Sequence, residues 1–513
     1  MFRKQIIFLF LLLVICSTVL ATSTVDNNVP LHLIVPPECA TQNSVTLLWD
    51  KPIDYSHVTG YCIFEGNKQI AETDKTNYRV SGLTPGKSYV FYIKAKYVDG
   101  RLSDAGNKIN IKTKVAGKVY NIIDFGAKGD GTTKNTKAIQ KAIDACTPGG
   151  IVYIPEGTFL SGALFLKSDM TLYIDKGGVL KGSTDDKDYL PMIPNRFEGW
   201  ELTTYASLLN AGKMDKKGGY TVNHLTIEGE GTISGGGRTL AGNMTSSKGL
   251  RGRGRLILLM NCQDVNIQGL TIEDSPCWTI HYIYSKNIVL HDLTIRSSVT
   301  NGDGIDPDSS TDSYIFGCSF ATGDDCIAIK SGKNPEGYYI AKPTENVFIS
   351  DCNFISGHGI SIGSEMSGGV RNVHVRDCIA GNLKYGFQIK ATKDRGGFVE
   401  NISVKDCALR KITVFSSVGY NNDGEPAPVM PFFKNLVFTN IDMRAAEEHN
   451  AIVVQGFPGE SHYTQDVTFE NITLPDNGVV ALDECKNVIF KNVLTASNKK
   501  PVYHIQNCLN TIY

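Results

Sequence analysis

One register, repeated along the second half of the chain, limits what this sequence can fold into. Aligning Asp264-Val-Asn-Ile-Gln-Gly-Leu270, Asn287-Ile-Val-Leu-His-Asp-Leu293 and Asn346-Val-Phe-Ile-Ser-Asp-Cys352 sets an anchor column. It runs Leu270, Leu293, Cys318, Cys352, Cys378, Cys407, Ile441, Ile472 and Val493, with gaps of 21 to 34 residues. Three residues before each anchor the side chain is always apolar, and six before it is always Asn or Asp: Asp264, Asn287, Asp312, Asn346, Asn372, Asn401, Asn435, Asp466 and Asn487. Short side chains that hydrogen-bond local backbone suit a bend taken once per coil, and stacked coils bury one continuous core. The period, the stacked apolar columns and the scarcity of helical patterning predict an all-β fold, a right-handed parallel β-helix or solenoid, with the handedness taken by analogy.

The rest of the chain fits around that stack. Arg3 and Lys4 precede an apolar run from Ile6 to Ile15, and Val19-Leu-Ala21 offers small residues for cleavage, so residues 1–21 read as a signal peptide. The run is too short for a comfortable membrane span; a lipid anchor at Cys16 is the alternative. The protein is therefore expected to be exported, periplasmic or extracellular. Residues 29–114 are strand-like and punctuated by turns. The Trp49 strand, and Leu83-Thr-Pro-Gly86 followed by Tyr89 in the tyrosine-corner position, resemble a fibronectin type III module. A spacer is its ordinary reading and sugar binding the alternative. From 115 to 513 runs the solenoid, opened by an amphipathic helix (Ala138, Ile139, Ala142, Ile143, Cys146) expected to be the single helix and to act as a lid.

Lys and Arg number 51 against 52 Asp and Glu, so no global field steers the chain to nucleic acid. The cysteines lack a metal-binding spacing, and those on the anchor column are expected to be packed thiols rather than bridges. No CxxC or HxxxH pair points to a metal. Arg251-Gly-Arg253-Gly-Arg255 reads as an exposed basic loop, or else as a contact for a polyanion.

Off the register stand Asp303, Asp324, Asp325, His358 and Lys390, which the repeat distributes over consecutive coils. Asp303 and Asp324 are separated by about one coil, and glycines at 302, 304 and 323 permit a turn or bulge beside them. Clustered carboxylates raise one another's proton affinity and supply an acid and a base at one pH, as glycosidic hydrolysis requires. Acidic loops in exported solenoids also bind calcium, and the residues by themselves leave both readings open.

Asn301-Gly-Asp303-Gly-Ile-Asp306, Gly323-Asp324-Asp325-Cys326 and Gly357-His358-Gly359 resemble the signature motifs of the polygalacturonases, glycoside hydrolase family twenty-eight. Ser275-Pro-Cys-Trp278 and Gly229-Glu-Gly-Thr-Ile-Ser-Gly235 add to the likeness, which extends from about Val115 to the C-terminus. The resemblance implies hydrolysis of α-galacturonosyl bonds with inversion, with no metal or cofactor: Asp324 as acid, Asp303 and Asp325 on the water, His358 supporting the proton balance of Asp324. It places Asn301, Gly359, Gln388 and Lys390 among substrate-binding positions. Where the family carries Arg-Ile-Lys this chain has Gln388-Ile-Lys390; a Gln cannot offer a bidentate fork to a uronate. Gly363-Ser-Glu365 and the long coil after Asp325 are similar to exo-acting members. The expected partner is a pectic polysaccharide or oligogalacturonide. Hydrolysis of a galacturonosyl–rhamnose bond is the alternative, with a β-helix lyase or a non-catalytic carbohydrate-binding β-helix more distant.

Overall fold

The computed structural model describes residues 28–416, 424–446 and 450–513. The signal-peptide reading of residues 1–21, with its Cys16 alternative, lies outside them. Among the described residues no helix is long and apolar enough to cross a membrane.

The repeat becomes a right-handed parallel β-helix. Each coil contributes a short strand to a twelve-stranded parallel sheet running from Leu164–Leu166 to Val502–Gln506, and one or two strands to a twenty-three-stranded assembly along the other faces. Register is kept residue for residue: Val467 lies beside Val488, Phe469 beside Phe490 and Ile472 beside Val493. The columns are therefore like on like. Phe438, Phe469 and Phe490 stack with centroids 5.0 Å apart, the spacing of neighbouring strands.

The Asn and Asp column sits where the backbone turns left-handed. All nine residues have φ between 54° and 59°, a region that only Gly and, through local hydrogen bonding, Asn or Asp visit readily. Side-chain amides then bond up the stack: Asn372 Nδ2 to Asn346 Oδ1 (3.0 Å), Asn401 to Asn372 (3.1 Å) and Asn435 to Asn401 (2.8 Å). Replacing Asn401 by Ala keeps the strain and breaks the ladder on both sides. The urea midpoint of Asn401→Ala is expected to report a loss of about 1–2 kcal/mol for the left-handed turn, and Asn401→Gly should lose less.

A second left-handed column lies immediately before each anchor: Gly269, Asp292, Gly317, Asp351, Asp377, Asp406, Asn440, Asn471 and Asn492 all have positive φ. The N-terminal module docks along it. This module has one sheet of Leu31–Ile34, Ser44–Asp50 and Asn77–Ser81, and another of Lys68–Thr73, Val58–Glu65, Ser88–Tyr97 and Ile109–Lys112. Its tyrosine corner is present, with Thr84 N donating to Tyr89 Oη at 2.8 Å. Asn77 Nδ2 donates to Asp351 (2.7 Å), Lys51 pairs with Asp377 and Asp406, and Tyr55 Oη donates to Asp406 (2.8 Å). From the solenoid, Arg376 Nη2 reaches back to the carbonyl of Trp49 (2.8 Å). A tethered spacer would need none of these contacts.

The amphipathic helix forms over Thr136–Ala145 and buries Ile139, Ala142 and Ile143. The expectation that it is the single helix is overturned: Gly237–Lys248 is helical too, and a short helix spans Glu336–Ile340. Gly237–Lys248 buries Leu240 and Met244 within a polar sequence, too narrow an apolar stripe to read as a periodic face. All twelve cysteines among the described residues are free thiols, eleven of them buried.

Candidate active site

The twelve-stranded sheet positions the site. Its strands Ile305–Asp308, Ile327–Ile329, Ile360–Ile362 and Phe387–Ala391 lie side by side in parallel, and Asp303, Asp324 with Asp325, and His358 immediately precede the first three. Lys390 lies within the fourth. The close coil spacing explains the glycines. A Cβ at Gly304 would stand 2.4 Å from the Cys326 carbonyl oxygen, and one at Gly359 2.3 Å from that of Gly386. At Gly302 a Cβ would stand 2.4 Å from Ser297 Oγ, while Gly323 is less crowded, its nearest neighbour being Val299 O at 3.1 Å; none of Gly302, Gly304 and Gly323 has a positive φ.

Asn301, Asp303, Asp324, Asp325 and Lys390 line one cavity, together with Glu198, Trp278, Lys330, Gly363, Ser364 and Glu365. His358 stands beside it, its Nδ1 3.0 Å from Asp324 Oδ1 and 3.4 Å from Asp325 Oδ1. These two contacts raise the imidazole to about 9, so it is an imidazolium at neutral pH. Burial works to raise Asp325, but Lys390 at 3.2 Å, His358 and Lys330, with the Ser361 hydroxyl donating at 2.6 Å, outweigh it and hold Asp325 well below the ordinary range. Asp303 goes the other way: burial, opposed by Lys330 and aided by Asp324 and Asp325, lifts it to about 7. Two carboxylates of one cavity are thus pushed in opposite directions, Asp303 by burial and Asp325 by the cations around it.

Two of the expected substrate-binding residues, Gln388 and Gly359, do not line the cavity. Gln388 is 1% exposed; its Nε2 donates to Ser361 Oγ (2.7 Å) and lies 3.4 Å from Asp325 Oδ1, so it braces Asp325 from behind. Gly359 does not line the cavity; its carbonyl accepts from Cys326 N (2.8 Å) and Ile327 N (3.2 Å) in the next coil. The arginine run is an exposed loop only at Arg251. Arg253 and Arg255 are buried, and Arg253 Nη2 donates to Asn301 Oδ1 (2.7 Å), fixing that left-handed residue at the cavity edge. Arg255 is sandwiched over Phe197 and Trp278, each 4.5 Å from its guanidinium carbon.

Asp324, Asp325 and His358 bring ligand atoms within 4.8 Å of one another. Calcium takes six to eight oxygen ligands; here a ring nitrogen and the Lys390 ammonium occupy that space, a donor set that does not fit it.

Sequence reasoning missed Lys330 and Glu198, and met Glu365 only within the Gly363-Ser-Glu365 motif. Lys330 ends the apolar run Cys326-Ile-Ala-Ile, where a lysine ordinarily snorkels to solvent. Glu198 is at the tip of a hairpin, Ile193–Phe197 and Trp200–Thr204, leaning over the cavity. Trp200 Nε1 donates to Asn334 O (3.0 Å), Asn334 Nδ2 to Glu425 O (2.9 Å), and the Arg395 guanidinium to Asn334 Oδ1 (2.6 Å). Hairpin, loop and returning segment thus form one wall.

The model of the glycosyl hydrolases family 28 matches residues 155–497, two thirds of the chain. The chain belongs to family 28. In this family 28 chain a fibronectin type III domain model also matches residues 33–111, and a rhamnogalacturonase A/epimerase, pectate lyase-like model matches 119–185. It is 28% identical to an exo-poly-alpha-D-galacturonosidase of Dickeya chrysanthemi, over 91% of this chain and 90% of that protein. It is 32% identical to a probable polygalacturonase of Vitis vinifera, over 69% and 73% respectively. Among solved structures, the family 28 exopolygalacturonase of Yersinia enterocolitica superposes with a TM-score of 0.86 at 26% identity, covering 94% of this chain and 99% of that one.

Proposed function

We propose that this glycosidase is an exported, exo-acting polygalacturonase that releases galacturonate units from a pectic chain with inversion. The observation that carries the reading is the single cavity holding Asp303, Asp324 and Asp325 beside Lys390 and beneath the wall of hairpin and loops. Asp324, the most exposed of the three at 27% of its side chain, gives its proton to the glycosidic oxygen. Asp325, held ionised, and Asp303 take the proton of a water attacking the opposite face. The imidazolium of His358 steadies Asp324 once it has lost its proton, and Lys390 supplies a point charge for a substrate carboxylate. The wall favours attack at a chain end, and the likeness to two exo-acting proteins, each over nine tenths of the chain, supports that choice.

Product analysis tests it. Polygalacturonate should yield short saturated products from the start, with little early loss of viscosity, and chelation by EDTA should leave the rate unchanged. Random mixed oligomers would overturn exo action; an unsaturated product would make the enzyme a lyase. Activity confined to rhamnogalacturonan would favour the galacturonosyl–rhamnose bond, a reading whose sequence support is Gln388 in place of the family's Arg.

A further inference from the structure

Behind Asp303 lies a buried charge cluster that the proposed mechanism does not use. Lys330 is 4% exposed. Its Nζ is 3.4 Å from Asp303 Oδ2, 3.4 Å from Asp306 Oδ1 and 3.8 Å from Glu365 Oε2, and lies 4.5 Å from the centre of the Trp278 ring. Asp306 is fully buried, and neither of its oxygens nor Asp303 Oδ1 has a conventional hydrogen-bond partner. Three carboxylates thus surround one buried ammonium at the inner wall of the cavity. Three negative charges exceed one positive, and a buried carboxylate left without a counter-charge sheds its own by binding a proton, so the cluster retains one. The remaining neighbours are Arg255 facing Asp306 and Asp303 from the loop side, Asp324 and Asp325 across the cavity, and Glu198 above it; His358 and Lys390 answer Asp325.

We infer that Lys330 is a positioning residue for the reaction: its ammonium favours the charged form of Asp303 and aims it into the cavity, while the deeper Asp306 keeps the cluster's proton. Burial raises Asp306 well above the ordinary carboxyl range, in keeping with that division. As a neutral acid Asp306 donates its O–H towards Asp303, favouring the charge on the residue that faces the attacking water. Lys330 would thereby act on the water through Asp303, without touching the sugar. The inference rests on Asp303 being a water-activating base.

The test is the pH profile of kcat/KM on polygalacturonate for the full chain. Removing a cation at this distance leaves Asp303 easier to protonate, so Lys330→Met should move the acidic limb to higher pH by roughly 1–3 units and lower kcat at neutral pH. Lys330→Arg, which keeps the charge, should bring the limb back towards wild type. Should Lys330→Met fail to fold, Asp306→Asn serves: its amide still donates to Asp303 but adds no negative charge, so the limb should stay or fall. A rise in the Asp306→Asn limb, or an unmoved limb in Lys330→Met whatever its KM, overturns the inference. Asp303→Asn separates the two layers. If it keeps activity, the base assignment itself fails; if it is inactive while Lys330→Met has a wild-type profile, Lys330 alone is misassigned.

Discussion

Asp324→Asn is expected to lower kcat on polygalacturonate by up to roughly 10⁴-fold, the upper range for loss of a general acid, with KM little changed. The amide is nearly isosteric and can still meet His358 Nδ1, and Asp325 keeps its bonds to Lys390 and Ser361. What it cannot do is give a carboxyl proton to the departing oxygen. An aryl galacturonide with a good leaving group needs little protonation, so its hydrolysis should survive far better than that of the polymer. Steady-state kinetics on both substrates checks this. Equal losses on the two would remove Asp324 from the acid role, and unchanged activity on the polymer would end the mechanism.

Arg196→Ala should be the most damaging structural change. Arg196 and Asp308 are both fully buried; Nη1 meets Asp308 Oδ1 at 2.6 Å and Ser309 Oγ at 2.8 Å, and the guanidinium lies over the Tyr284 ring. Burial opposes ionisation of Asp308, yet Arg196 and His281 hold the carboxyl below its ordinary range. Removing one member of such a pair strands the other, at a cost of about 3–5 kcal/mol. The urea midpoint should fall accordingly, and Arg196→Met with Asp308→Leu should recover much of the loss, because the desolvated charge has gone as well. Arg196 also roots the hairpin that forms the wall, so the single variant should release longer products than wild type if it is folded at the assay temperature. An unchanged midpoint would show that the pair contributes nothing net.

The stack was legible because its period is written directly into the residues: Leu270 to Val493, with Asn or Asp six places earlier, needs no tertiary information. The second turn column was not, since Gly269, Asp292 and Gly317 share a backbone conformation rather than a side chain. At the site, Asp303, Asp324, Asp325 and His358 stood out by being off the register, and the coil spacing brought them together. Gln388 was misplaced because its strand position says which coil it joins, while its role was set by Ser361 and Asp325 one and two coils away. Arg253 and Arg255 misled for a related reason: aromatic faces from Phe197 and Trp278, distant in sequence, allow arginines to be buried where composition suggests an exposed loop.

The second column also changes from acid to amide along its length. It carries Asp351, Asp377 and Asp406 where the N-terminal module contributes Asn77, Lys51 and Tyr55, then Asn440, whose amide still donates to Tyr55 Oη (3.1 Å), and Asn471 and Asn492 in the coils that follow. Amides can stack indefinitely, each donating to the next; carboxylates cannot, because each presents only acceptors to its neighbour. The acidic rungs are thus a footprint left in the solenoid by the domain that sits on it. Cut free of that domain, the solenoid would hold three like charges on successive coils with Arg376 as their near counter-charge, so the module behaves as a removable part in sequence but not in electrostatics.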